Sequence, residues 1–138
     1  MNKNVFIGFI VVLCIAIFTG CIKSGNGILL VKAKDFNGSY QNENKIEDKE
    51  RYSKAYKIFQ NLDWKNAKLD VTKKPDYILE FKIDNPSSDD SKIANKDIEI
   101  WLDRDKKTAT IYIDKDSKKG TLFEKEMKEL EFLWEKKK

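Results

Sequence analysis

The chain has 138 residues, 27 of them basic and 23 acidic, a net charge of +4, two cysteines and no histidine. That length suits a single domain, and the missing histidine excludes histidine-based acid–base catalysis and the usual zinc sites. Arg51 and Arg104 are the only arginines; with bidentate readers of phosphate and guanine so scarce and the charges nearly balanced, the composition argues against a nucleic-acid partner.

The chain opens with Met1-Asn2-Lys3-Asn4, an apolar run from Val5 to Phe18, and the small pair Thr19-Gly20 before Cys21. A charged start, an apolar core and small residues before a break form the layout of a secretory leader. The 16 residues from Val5 to Gly20 fall short of the ~20 that a spanning helix needs. An uncleaved N-terminal anchor is the alternative. Small residues directly before a cysteine at the end of such a run resemble the lipobox of bacterial lipoproteins, with Phe18 where leucine is usual.

That resemblance implies a diacylglyceryl group on the Cys21 thiol and removal of residues 1–20 as a signal peptide. It places the protein, lipid-anchored, on the extracytoplasmic face of the cell membrane. Two acyl chains on one residue give stable attachment, at roughly 0.8 kcal/mol per buried methylene. Residues 21–27, with Lys23-Ser24-Gly25-Asn26-Gly27, read as the lipidated cysteine and a flexible tether, and residues 28–138 as the domain. Loss of Lys3 leaves 26 basic against 23 acidic residues, a net of +3. Cys14 leaves with the leader, so Cys21 is the one cysteine of the mature chain, and its sulfur is alkylated.

Within the domain, Ile28 to Val31 is expected to be the first strand, followed by a turn at Asp35-Phe36-Asn37-Gly38-Ser39. Asn44, with Glu47 three residues on, predicts a capped helix. Tyr52, Ala55, Tyr56, Phe59 and Leu62 form its apolar stripe, which makes the tyrosines core rather than ligand-stacking residues. Ala67, Leu69 and Val71 alternate with polar residues in the segment from Trp64 to Val71, as in a half-exposed strand. Lys73-Lys74-Pro75-Asp76 is a turn, and Tyr77, Leu79, Phe81 and Ile83 share one face of the clearest strand.

Asp84 to Lys96 reads as a polar loop of 13 residues, a length associated with function or disorder. Its acids lack the spacing and the glycine of a calcium loop, as do Asp114, Asp116 and Gly120. Ile98, Ile100 and Leu102, then Ala109, Ile111 and Ile113, predict a hairpin around Arg104–Lys107. Trp101 falls on the opposite face from Ile100 and pairs in that reading with Thr110 or Tyr112. For the last helix, Thr121 with Glu124 is one capped start, and Phe123, Met127, Leu130 and Trp134 the stripe. A start at Glu124 after a short strand over 120–123 is the other.

Trp64-Lys65-Asn66-Ala67-Lys68, Lys74-Pro75-Asp76-Tyr77-Ile78-Leu79-Glu80-Phe81 and Glu99-Ile100-Trp101-Leu102, with the final helix, resemble small YhfM-like lipoproteins of Bacillus-type bacteria over roughly residues 45–134. The resemblance implies an acylated N-terminus followed by one small domain and carries no activity or site residues. The expected fold is α+β: an antiparallel meander of about four to five strands with two amphipathic helices on one face.

Function is expected to be a non-catalytic binding module of the cell envelope, with no cofactor and no metal. Its partners would be the membrane through Cys21 and an envelope protein, or an anionic wall polymer drawn by the lysine pairs at 73–74, 106–107 and 118–119 and by Lys136–Lys138. A solvated lysine-rich surface explains those pairs as well. The competing classes are a carboxylate-based enzyme of the glycan hydrolase kind, which needs two acids ~5–10 Å apart in a cleft, and a small-ligand or cation sensor using the 84–96 loop.

Overall fold

The computed structural model of the protein describes residues 27–40 and 43–134. The architecture is α+β: one open, wholly antiparallel sheet of seven strands with three short helices. In chain order these are β1 (Gly27–Ala33), β2 (Asn44–Ile46), α1 (Lys49–Gln60), β3 (Lys65–Asn66), β4 (Tyr77–Ile83), β5 (Ile98–Asp103), β6 (Thr108–Ile113), β7 (Lys118–Leu122), α2 (Glu124–Glu129) and α3 (Glu131–Trp134). The sheet order is β2-β1-β4-β5-β6-β7-β3. The expected meander is its centre, β4 to β7. The expected first strand, β1, lies beside β4, and the sheet is wider than expected because β2 adds an edge strand and the segment before α2 pairs as β7, with β3 all that forms of the strand expected over 64–71.

Registers place the alternating apolar residues on one face. Leu29 lies opposite Phe81, Leu79 opposite Ile98, Ile100 opposite Ile111, and Ala109 opposite Leu122. All eight are buried, together with Tyr52, Ala55, Tyr56 and Phe59 of α1 and with Leu130 and Leu133 near the C-terminus. The helices therefore cover this one face, where removal of apolar surface from water supplies the main driving force. At its centre the Phe81 ring meets Phe59, Tyr52 and Tyr56 edge-on, with centroids 5.5, 5.9 and 6.2 Å away, in the T-shaped arrangement that aromatic quadrupoles favour.

Several expected elements change. Asn44 does not cap a helix: residues 44–46 pair with β1 as an edge strand, Leu29 opposite Ile46. The cap is Asp48, whose Oδ1 accepts from the Glu50 backbone N–H at 2.9 Å. Backbone pairing with β1, invisible to local spacing, outcompetes the capping box. At the C-terminus the start at Glu124 is the one observed, preceded by β7, which runs from Lys118. Glu126 Oε2 accepts from the Phe123 N–H at 3.1 Å. The helix breaks at Leu130 into α2 and α3, and Phe123, assigned to the buried stripe, is 62% exposed while Leu133 is buried instead.

The alternating segment at 67–71 is not a strand; pairing stops after Lys65 and Asn66. The sheet order explains it. β3 sits outside β7 and β4 lies inside β5, so the chain between them must cross three strands. It crosses the face away from the helices, since the Trp101 indole N–H, on that face, donates to the Lys73 carbonyl at 2.7 Å. Alternation there reflects a strap with one side against the sheet, Ala67 and Leu69 being half-buried and Lys68 and Asp70 exposed. Gly120 lets the β3 end close: a Cβ there would meet Ile111 at 3.2 Å and Trp64 at 3.5 Å, and the Trp64 indole donates to the carbonyl of Phe59 at 2.9 Å.

Candidate functional site

The loop Asp84–Lys96 is built into the domain rather than standing away from it. Ile93 and Ala94 are buried in the core. Asn95, at φ 55°, bonds both backbone groups of Ile83 through its side chain, at 3.0 Å each. Asp90 is 8% exposed. Its Oδ1 accepts from the Tyr56 hydroxyl, and its Oδ2 accepts from the Ser87 N–H at 2.8 Å and hydroxyl at 3.0 Å. Those hydrogen bonds, led by that of Tyr56, outweigh burial and hold the Asp90 carboxyl below the usual range, while burial and the same bond push the Tyr56 hydroxyl up. Gln60 donates to the Asp89 carbonyl, and Lys96 is ion-paired with Asp116. The carboxylate most central to the loop is thus engaged in closing it, and among the described residues no group of three or more His, Cys, Asp or Glu could hold a metal.

Two surface clefts lie at opposite ends of β1, seven residues apart along the strand, or about 20 Å. The cleft beyond Ala33 has a volume of about 750 Å³ and is walled by the 34–36 turn, the strap at Lys73 and Asp76, and the β5–β6 hairpin from Trp101 to Asp105. Such volumes suit a small ligand or a peptide side-chain pair. Its floor is rigidly tied. Asp76 Oδ2 accepts from the Leu102 N–H at 2.8 Å and its Oδ1 lies 3.7 Å from the Lys34 ammonium. Lys34 also donates to the Lys74 carbonyl at 3.2 Å, and the Tyr40 hydroxyl donates to the Pro75 carbonyl at 2.9 Å. Phe36, fully exposed at the rim, and Arg104 on the opposite wall give the cleft an aromatic and a cationic edge.

The second cleft, about 520 Å³, flanks Gly27 at the start of β1. Lys45 of β2, Lys49, Tyr52 and Ser53 of α1, and Lys82 and Asp84 at the end of β4 all line it. A Cβ on Gly27 would lie 2.2 Å from the Tyr52 hydroxyl; glycine is what lets the phenol tip pack against the backbone at the point where the chain enters the fold. That hydroxyl is buried and has no hydrogen-bond partner among the described residues. Burial, followed by the nearby Asp90 charge, pushes it up to about 12.

The sheet face away from the helices also carries Glu99, which burial, then Asp114 and Asp97, raise above the usual carboxylate range. Glu99 lines none of the clefts described. Trp101 pairs with Thr110 and is 9% exposed, as the alternation required. Tyr52 and Tyr56 lie in the core. Cys21 and the run before it lie outside the described residues, and among the described residues no helix is long and apolar enough to cross a membrane. The Lys34–Asp76 pair had no signal in the sequence, because the partners are brought together only by the β1–β4 pairing. Comparison of the chain with family models, with curated proteins and with solved structures gives no match.

Proposed function

We propose that this chain is a lipoprotein held to the extracytoplasmic face of the cell membrane by Cys21, and that its folded domain binds an envelope partner without catalysing a reaction. The observation that carries the reading is the position of Cys21, directly after an apolar run closed by Thr19-Gly20 and six residues before β1 begins at Gly27. Six residues span at most about 22 Å, which keeps Gly27 near the bilayer; in this reading the cleft walled by Lys34, Phe36, Trp101 and Arg104, at the other end of β1, is turned outward. That outward cleft is the surface offered to a protein or other envelope component.

Intact mass of the native protein tests the anchor. The expected species starts at Cys21 and carries a diacylglyceryl group, and Cys21→Ala abolishes that modification entirely. A native chain that retains residues 1–20, or starts elsewhere with an unmodified thiol, overturns the reading. The outward surface is tested by a photoreactive residue placed at Arg104 in cells. A discrete adduct is expected there and not from the same probe at Asp84, which follows Ile83 opposite Gly27 on the bilayer side; no adduct from position 104 removes the binding role from that cleft.

A further inference from the structure

One side of the sheet ends on β7 and β3, and β3 covers only part of that edge. It pairs with Lys118 and Lys119 alone, through Asn66 and Lys65. Before them the chain turns off the sheet: the Trp64 N–H donates to the Leu62 carbonyl at 3.0 Å, and the Trp64 indole is tied to the Phe59 carbonyl. β7 runs on to Leu122. The Ala67 N–H donates to the Ser117 carbonyl at 3.1 Å. In the alternation of an antiparallel ladder, residues 117, 119 and 121 then turn their backbone groups outward, and 118, 120 and 122 turn theirs to β6. Among the described residues, no strand lies opposite Thr121 on that outer side.

We infer that this edge takes up an extended segment of a partner protein as an added strand. Beside it lies a cleft of about 510 Å³, lined among others by Leu62, Asp63, Lys65, Thr121, Phe123 and Glu126. Its charges are largely engaged: Lys65 lies 3.7 Å from Asp63, and Glu126 accepts from the Phe123 N–H at 3.1 Å. What remains on offer is the outward backbone of Thr121 and the Phe123 ring, 62% exposed. Open edges are ordinarily blunted by charge or proline, and Gly120-Thr121-Leu122-Phe123 has neither. One residue of the segment exchanges both main-chain hydrogen bonds with Thr121, and an apolar side chain flanking that pair packs on Phe123. A second copy of the chain fits poorly. Two β7 strands paired antiparallel about Thr121 would set each copy's β3, beside Lys118 and Lys119, against Phe123 and Glu124 of the other. A lone extended segment brings no such obstruction. Neither the Cys21 anchor nor the cleft near Arg104 is involved.

The experiment follows amide hydrogen exchange by NMR in the full chain. In the free protein the Thr121 amide is expected to exchange faster than those of Gly120 and Leu122, which bond to β6. The probe is the peptide acetyl-Thr-Val-Thr-Val-Thr-amide, whose alternation suits a strand. It is expected to slow exchange at Thr121 and to shift the Phe123 ring signals. Thr121→Pro removes the outward donor and keeps every bond to β6, as proline on an edge strand does; it is expected to weaken binding about tenfold. Phe123→Ser is expected to weaken it by a similar factor.

The same peptide N-methylated at every residue keeps the side chains and loses the main-chain donors, and needs no change in the protein. It is expected not to slow exchange at Thr121. Slow exchange at Thr121 in the free chain, no effect of the peptide at millimolar concentration, or equal binding of the methylated peptide overturns the inference. Sedimentation identifies the other occupant: a dimer that Thr121→Pro dissociates and the peptide does not would make it a second copy, and the partner strand would be wrong.

Discussion

Phe81→Ala is expected to lower the stability of the domain by about 3–5 kcal/mol, with Tm falling on the order of 15–25 °C. Phe81 is wholly buried on β4, between β1 and β5. Its ring is the common neighbour of Phe59, Tyr52 and Tyr56 of α1. Truncation removes both the apolar area and three edge-on ring contacts, each adding ~0.5–1.5 kcal/mol beyond burial. The cavity would open between the sheet and α1. A loss this size is a large part of the ~5–15 kcal/mol typical of a small domain. Thermal denaturation followed by circular dichroism measures it, and a Tm within about 5 °C of the parent would show that α1 is held mainly by something else. Phe81→Leu, which refills much of the volume, should recover over half of the loss.

Asp90→Ala should be the next most damaging change, at about 2–4 kcal/mol, because it strands the Tyr56 hydroxyl and the Ser87 donors in a buried site. Asn at the same position keeps an acceptor for Tyr56 and should cost clearly less. The two variants also differ from the parent in pH dependence. The Asp90 carboxyl is held below its unfolded value, chiefly by the Tyr56 hydrogen bond, against opposing burial and with help from Ser87. The native state therefore binds its proton less readily than the unfolded chain does. Its contribution is present in full above the unfolded Asp range, near pH 4, and is lost as pH falls through the lower folded value. Urea denaturation between pH 2 and 6 should show the parent losing this increment at the acid end and both variants lacking it. Equal acid sensitivity in parent and Asp90→Asn would place the titrating group elsewhere.

The pairing that makes Asp90 matter was out of reach of sequence reasoning. Tyr56 and Asp90 are 34 residues apart, and nothing local distinguishes Asp90 from Asp89 beside it, whose backbone carbonyl rather than carboxylate is used, by Gln60. By contrast Tyr52, Ala55, Tyr56 and Phe59 announce a buried helical stripe, and all four are buried. The strands β4, β5 and β6 were legible for the same reason. Where alternation has a second cause it misleads. Ala67 and Leu69 alternate with polar residues because a strap lies against a sheet, while Val71 is exposed, and Asn44 and Glu47 satisfy a capping pattern in a segment whose backbone β1 claims.

By itself, the sequence determined which segments could form amphipathic elements, that no histidine is available for chemistry, and where an apolar run ends against Cys21. These are properties of composition and of periods two and 3.6, which depend only on near neighbours. The tertiary structure alone decided which strands flank the meander, which acid is buried, and which side chains meet at the two ends of β1. Those outcomes depend on register and on chain paths that cross the sheet. The packing of the Tyr52 hydroxyl against Gly27, and an ion pair joining Lys34 to Asp76, exist only once seven strands have taken their order.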